Sequence, residues 1–135
     1  MEFFLGAELY ADAGWRWAEV RDIVEPELNK LSTEDYGDDL LSIGIISLIF
    51  PEDHFEDGSW KEMSLYSKKE KDADVRLKIN YKQFCRSKKK DRLDIYIDHI
   101  IESIKTLENK VGKDFDFLRL MADMKTVLND CRLEL

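Results

Sequence analysis

The stretch FPEDHFEDGSW, residues 50–60, holds four carboxylates, one histidine, two phenylalanines and a tryptophan. Side chains of these types can hold a metal ion, move a proton or grip a partner. Metal is decided by ligand position. A calcium loop needs oxygen ligands at positions 1, 3 and 5, glycine at 6 and a closing glutamate at 12. Aligning Asp53, Asp57 and Gly58 to that frame leaves Phe55 at position 3 and Ser64 at position 12. A ligand and the closing carboxylate are then both missing. Zinc needs several histidines or cysteines at workable spacing. His54 and His99 are far apart, and neither Cys85 nor Cys131 lies near a histidine in sequence. No metal and no other cofactor is expected.

Catalysis finds no better footing. Asp98 and His99 are adjacent in IDHII, and neighbours on a helix point about 100° apart, so they do not face each other. His99 reads as a partly exposed helix residue. No Gly-x-Ser-x-Gly elbow occurs, and the six glycines form no phosphate-binding loop. Carboxylate pairs abound, as they must in an acidic chain. Acid–base work needs two of them with separated pKa values in one cleft, which no spacing here specifies. The chain is expected not to be an enzyme.

Binding remains. The segment NYKQFCRSKKKDR carries Lys82, Arg86, Lys88, Lys89, Lys90 and Arg92 among Tyr81 and Phe84. Cations and stackable rings are what phosphates and bases require. A small nucleic-acid-associated protein using residues 82–92 is thus one reading. The net charge of −8 opposes it, and Tyr81 continues the inward face of a strand. The same cations could pair with the chain's own acidic half or with another copy, as a homo-oligomer.

The acidic surface is stronger. Residues 1–60 hold fifteen acidic and three basic side chains, a net of −12, whereas residues 61–135 net +4. Such asymmetry speaks of partners and solubility rather than fold. STEDYGDD places Glu34, Asp35, Asp38 and Asp39 around Tyr36, and PEDHFEDGSW places Glu52, Asp53, Glu56 and Asp57 around Phe55 and Trp60. Carboxylates steer a basic partner, and an aromatic ring supplies a buried anchor. A solvated surface with no partner has the same composition.

The elements that must carry these loops follow from periodicity. EFFLGAELY reads as a short first strand. Trp17, Val20, Val24, Leu28 and Leu31 line one helix face, with a kink or restart expected at Pro26. LLSIGIISLIF, residues 40–50, reads as a central strand closed by Pro51. Its eleven residues would span roughly 35 Å, so the two acidic loops lie at opposite ends. In KEMSLYSKK, Met63 and Leu65, with Ser67, face one way. Val75, Leu77, Ile79 and Tyr81 then alternate through the last strand. Two helical stripes close the chain: Leu93, Ile97, Ile100, Ile101, Ile104 and Leu107, then, past Gly112, Phe117, Leu118, Met121, Met124, Leu128 and Cys131. The order is β-α-β-β-β-α-α. The fold predicted is one α+β domain over residues 1–135, a three- to four-stranded mainly antiparallel sheet packed against helices. The longest apolar run is about half of a membrane span, no signal peptide is expected, and two distant cysteines suit reduced thiols in the cytoplasm.

The segment LKINYKQFCRSKKKDRLDIYIDHIIESIKTL, residues 77–107, resembles the immunity proteins of bacterial polymorphic-toxin and contact-dependent growth inhibition systems. Several of those families have a strand ending in Tyr-x-x-Phe, a charged connector, and a helix with Ile-x-x-x-Ile or Ile-x-x-Ser-Ile. The matching positions are Tyr81, Phe84, Ile97, Ile101, Ser103 and Ile104. The resemblance implies a small α+β fold and capture of one cognate toxin in the producing cell, without catalysis. Many such toxins are nucleases, which tend to be basic, and an acidic inhibitor can occlude their active site. No interface residue carries over from the resemblance.

Overall fold

Alternation of apolar and polar residues decides which face a strand buries. In the computed structural model, which describes residues 1–56, 58 and 60–133, four strands form: β1 (Glu2–Leu9), β2 (Ser42–Ile49), β3 (Met63–Ser67) and β4 (Asp72–Lys78). Four α-helices accompany them: α1 (Gly14–Asn29), α2 (Tyr81–Arg86), α3 (Lys89–Lys105) and α4 (Phe117–Leu133). The class is α+β, and the expected element order gains one short helix, α2.

The sheet order is β1-β2-β4-β3. β1 pairs with β2, and β2 with β4, in parallel; β3 pairs with β4 antiparallel. The mainly antiparallel sheet expected from the sequence is therefore corrected to a mixed one. Two connections are the cause. The α1 crossover returns the chain to the start of the sheet, which makes β1 and β2 parallel. The connection after β2 then leads to the far edge, beyond β4, so β3 lies antiparallel to β4 and leaves β4 parallel to β2. Lys78 marks the crossing. Its backbone N–H donates to Glu62 Oε2 at 3.0 Å, and its amino group sits 3.6 Å from Glu52 and 4.3 Å from the centre of the Phe55 ring.

One face of the sheet is covered by helices. Phe3 and Leu5 of β1, Ile43 and Ile45 of β2, and Ala73 and Val75 of β4 all point there and are buried. α1 brings Val20, Val24 and Leu28; α3 brings Leu93, Tyr96, Ile97, Ile100 and Ile104. α4 packs on α1 and α3 through Leu120, Met121, Met124, Leu128 and Cys131. Cys85 and Cys131 are thiols, not joined in a disulfide. No helix among the described residues is long and apolar enough to cross a membrane.

Three local expectations change, and one gains its face. α1 runs through Pro26 without a break; an exposed proline in the last turns forfeits one ladder bond, which the packed face outweighs. Leu118 is 77% exposed, and Leu120 takes the buried place beside Met121. Met63 and Leu65 share a face as expected, but it is the outer one, because Ser64 lies opposite Val75 and Tyr66 opposite Ala73. The last strand stops at Lys78 instead of continuing through Tyr81. Asn80 is the reason: its Oδ1 accepts the Gln83 backbone N–H at 2.9 Å and caps α2. Asn80→Ala should cost about 1 kcal/mol in urea denaturation; a value near zero would remove the cap from this account.

Candidate functional site

The two acidic loops flank β2, and the structure treats them differently. Phe50, His54, Phe55 and Trp60 form a small aromatic cluster at the end of the sheet. Phe50 stacks on Trp60 with ring centres 4.8 Å apart and meets Phe55 edge-on at 6.1 Å. His54 stacks on Phe50 and meets Tyr10 edge-on. Leu48 and Phe50 point to the outer face of the sheet, yet both are buried and stand outside the main core. The loop thus supplies its own cover there. Phe55 and Trp60 are half-buried in this cluster and serve first to fold the loop. Its carboxylates stay outside. Glu52, Asp53 and Glu56 are exposed, and Glu52 alone of the three meets a cation, Lys78, among the described residues. Asp57 lies outside the described residues.

The loop at residues 34–39 is tied down instead. Tyr36 is buried at 3% exposure and donates its hydroxyl to Asp123 Oδ2 at 2.7 Å. Burial, then that carboxylate, raises its phenol far above the ordinary range, so it stays a donor. Its ring is part of the core and is closed to a partner. Arg119 reaches over it, 2.8 Å from Glu34 Oε2 and bonded to the Asp35 carbonyl. Asp39 packs so closely on Gly112 that a Cβ added there would collide with its carboxylate. The cavity beside it is lined by Lys68, Lys110 and Lys113. The chain's own cations therefore surround this loop. Asp35 and Asp38 are exposed without an ion pair among the described residues, and the Asp35 carboxylate accepts the Gly37 N–H at 2.9 Å.

The end of the sheet that carries the residue 52–56 carboxylates gathers further acid beside them. Where β3 stops short, the edge of β4 opens into a shallow cleft of about 240 Å³ between β4 and α3. Leu77, Ile79 and Ile95 form its apolar lining, with Glu62, Asp98 and Glu102 around it. No motif or spacing pointed to this group, because its members come from three separated segments.

His99 also lines this cleft, and its Nε2 shares a 2.8 Å hydrogen bond with the Ser47 hydroxyl. Burial pushes the imidazole down to about 4, so it is neutral at pH 7. A serine beside a neutral histidine invites a nucleophile reading. Ser47 is fully buried, however, and no carboxylate bonds to His99 among the described residues. The geometry is that of a satisfied polar pair joining β2 to α3. His99, read from the sequence as a partly exposed residue, is in fact 8% exposed. Among the described residues, no group of three or more His, Cys, Asp or Glu is placed to hold a metal.

The basic segment loses much of its nucleic-acid character. Phe84 is fully buried, and Tyr81 meets Tyr10 edge-on at 5.6 Å. Arg92 turns inward to Glu19, 3.5 Å away, and bonds the Ser87 carbonyl. Lys82, Arg86, Lys88, Lys89 and Lys90 remain exposed on α2 and the start of α3, with both rings of the segment already engaged by the fold. In comparison with known proteins, residues 1–130 match the family model described as Immunity protein 44. Neither the curated proteins nor the solved structures gave a match.

Proposed function

The chain belongs to the Immunity protein 44 family, and from that premise we propose that it protects its producing cell by binding a cognate toxin domain and covering that domain's active site. The family match over residues 1–130 is the observation that carries this reading. The toxin is proposed to be a basic nuclease, delivered by a polymorphic-toxin or contact-dependent inhibition system and met in the cytoplasm. The immunity protein needs no chemistry of its own: occlusion is a matter of affinity.

The acidic end of the sheet supports this partner class. Glu52 and Glu62 both reach Lys78, and Asp98 and Glu102 line the same cleft. Asp53 and Glu56 follow Glu52 on the loop and are exposed. Such a field raises the association rate of a basic partner. Glu34, paired with Arg119, contributes less. Co-expression with the toxin encoded beside this gene tests the function: the pair should co-purify and the cells should survive. No complex and no protection would sink it.

Charge reversal tests the steering. Glu52→Lys combined with Glu56→Lys should lower the association rate roughly tenfold at low salt and flatten its salt dependence. Glu34→Lys should change it less, because Arg119 already offsets that charge. Identical rates in wild type and both variants would take the acidic end out of the mechanism.

A further inference from the structure

Parallel strands almost always have both faces covered. Here β1, β2 and β4 run parallel, and the helices cover one face. On the other face the 50–60 loop shields the end around Leu48, and the remainder is open. That remainder is not polar. Phe4 is 67% exposed, Leu65 58% and Met63 39%. Register places them in two adjacent rows: Phe4, Gly44, Asp74, Leu65 and then Gly6, Ile46, Arg76, Met63. Gly6 leaves room for its neighbours to close over it. An added Cβ would come within 2.8 Å of Ile46 Cδ1 and 3.5 Å of Phe4 Cε1. Phe4 and Ile46 thus form one apolar surface on β1 and β2, and Met63 and Leu65 form another on β3.

We propose that this open face is the surface the toxin domain covers, with Phe4, Ile46, Met63 and Leu65 as its apolar anchors. The assignment rests on the immunity reading and deepens it by naming the contact. Charge selects the occupant. Asp74 and Arg76, between the two apolar areas, pair with each other at 3.3 Å. Glu2 and Asp72 at one margin are exposed and have no ion pair among the described residues, but Lys69 and Lys71 of the β3–β4 turn are exposed beside them, so that margin is mixed. The margin at the neighbouring loop is the acidic one, with Glu52, Asp53 and Glu56 exposed. An apolar centre with one acidic side fits a partner that carries an apolar patch flanked by lysines and arginines.

The test is a titration of the purified chain against the toxin domain encoded beside its gene, using wild type, Phe4→Ser and Leu65→Ser. Each substitution should weaken affinity by roughly tenfold or more while circular dichroism and melting stay close to wild type. Hydroxyl-radical footprinting of the wild-type complex needs no substitution and should protect Phe4, Met63 and Leu65. Wild-type binding with unchanged variants, or with those residues as reactive as in the free chain, would overturn the assignment and leave the immunity function standing. A wild-type chain that does not bind would overturn both. Sedimentation of the wild type alone decides the occupant: a dimer dissolved by either substitution would give the face to a second copy.

Discussion

Phe84→Ala should destabilise the protein by about 3–5 kcal/mol in urea denaturation, the range for emptying a buried aromatic site. The Phe84 ring meets only the core: its accessibility is 0%, and it is the one buried residue of α2. A six-residue helix has too few turns to hold itself together, so its docking depends on that ring. Lys88→Ala and Lys90→Ala, a few residues on and exposed, should fall within about 0.5 kcal/mol of wild type. The contrast separates the two roles open to this segment. A ring that stacks on bases would leave stability unchanged on removal. A loss below about 1 kcal/mol for Phe84→Ala would contradict its place in the core.

His99 should make the fold acid-sensitive in a window of its own. Its imidazole ionises at about 6.5 when unfolded and is pushed down to about 4 in the fold by burial. Above that unfolded value both states are neutral and the residue contributes no pH dependence. Between there and pH 4 the unfolded chain takes up a proton that the folded chain refuses, so stability falls as pH falls. The full loss is about 3 kcal/mol, since each pH unit separating the two ionisations is worth about 1.36 kcal/mol. The Tyr96 ring stacks at 6.0 Å, Ser47 bonds the imidazole, and Glu62, Lys78, Asp98 and Glu102 line the same cleft. Carboxylates elsewhere add their own acid dependence, which a His99→Gln variant shares. The measurement is therefore the difference between the two stability–pH curves. Wild type should lose about 3 kcal/mol more than His99→Gln across that window; parallel curves would mean that the folded state accepts the proton.

Much of the fold was legible in the chain. The stripe Val20, Val24, Leu28 and Leu31 and the alternation Val75, Leu77, Ile79 predicted faces that the structure buries or half-buries. These patterns are local, because a helix or strand repeats within a few residues. Strand orientation was not legible. The strands were read as mainly antiparallel, and alternation could not correct that, since it is blind to the direction of the neighbouring strand. Met63 and Leu65 show the same limit: period two places them together but does not say on which face.

The candidate site divides in the same way. Sequence alone determined that the first half of the chain is acidic, that it lacks metal and catalytic motifs, and that residues 77–107 resemble immunity proteins. Tertiary structure decided which acidic groups are offset by the chain's own cations. Arg119 meets Glu34 from 85 positions away, and Tyr36 spends its hydroxyl on Asp123, 87 positions away. Glu62 converges on one cleft with Asp98 and Glu102 of α3. The open apolar face exists because the chain supplies helices to one side of the sheet. Periodicity acts over one turn or one pleat, whereas charge matching and burial act through space, between residues that only the folded chain brings together.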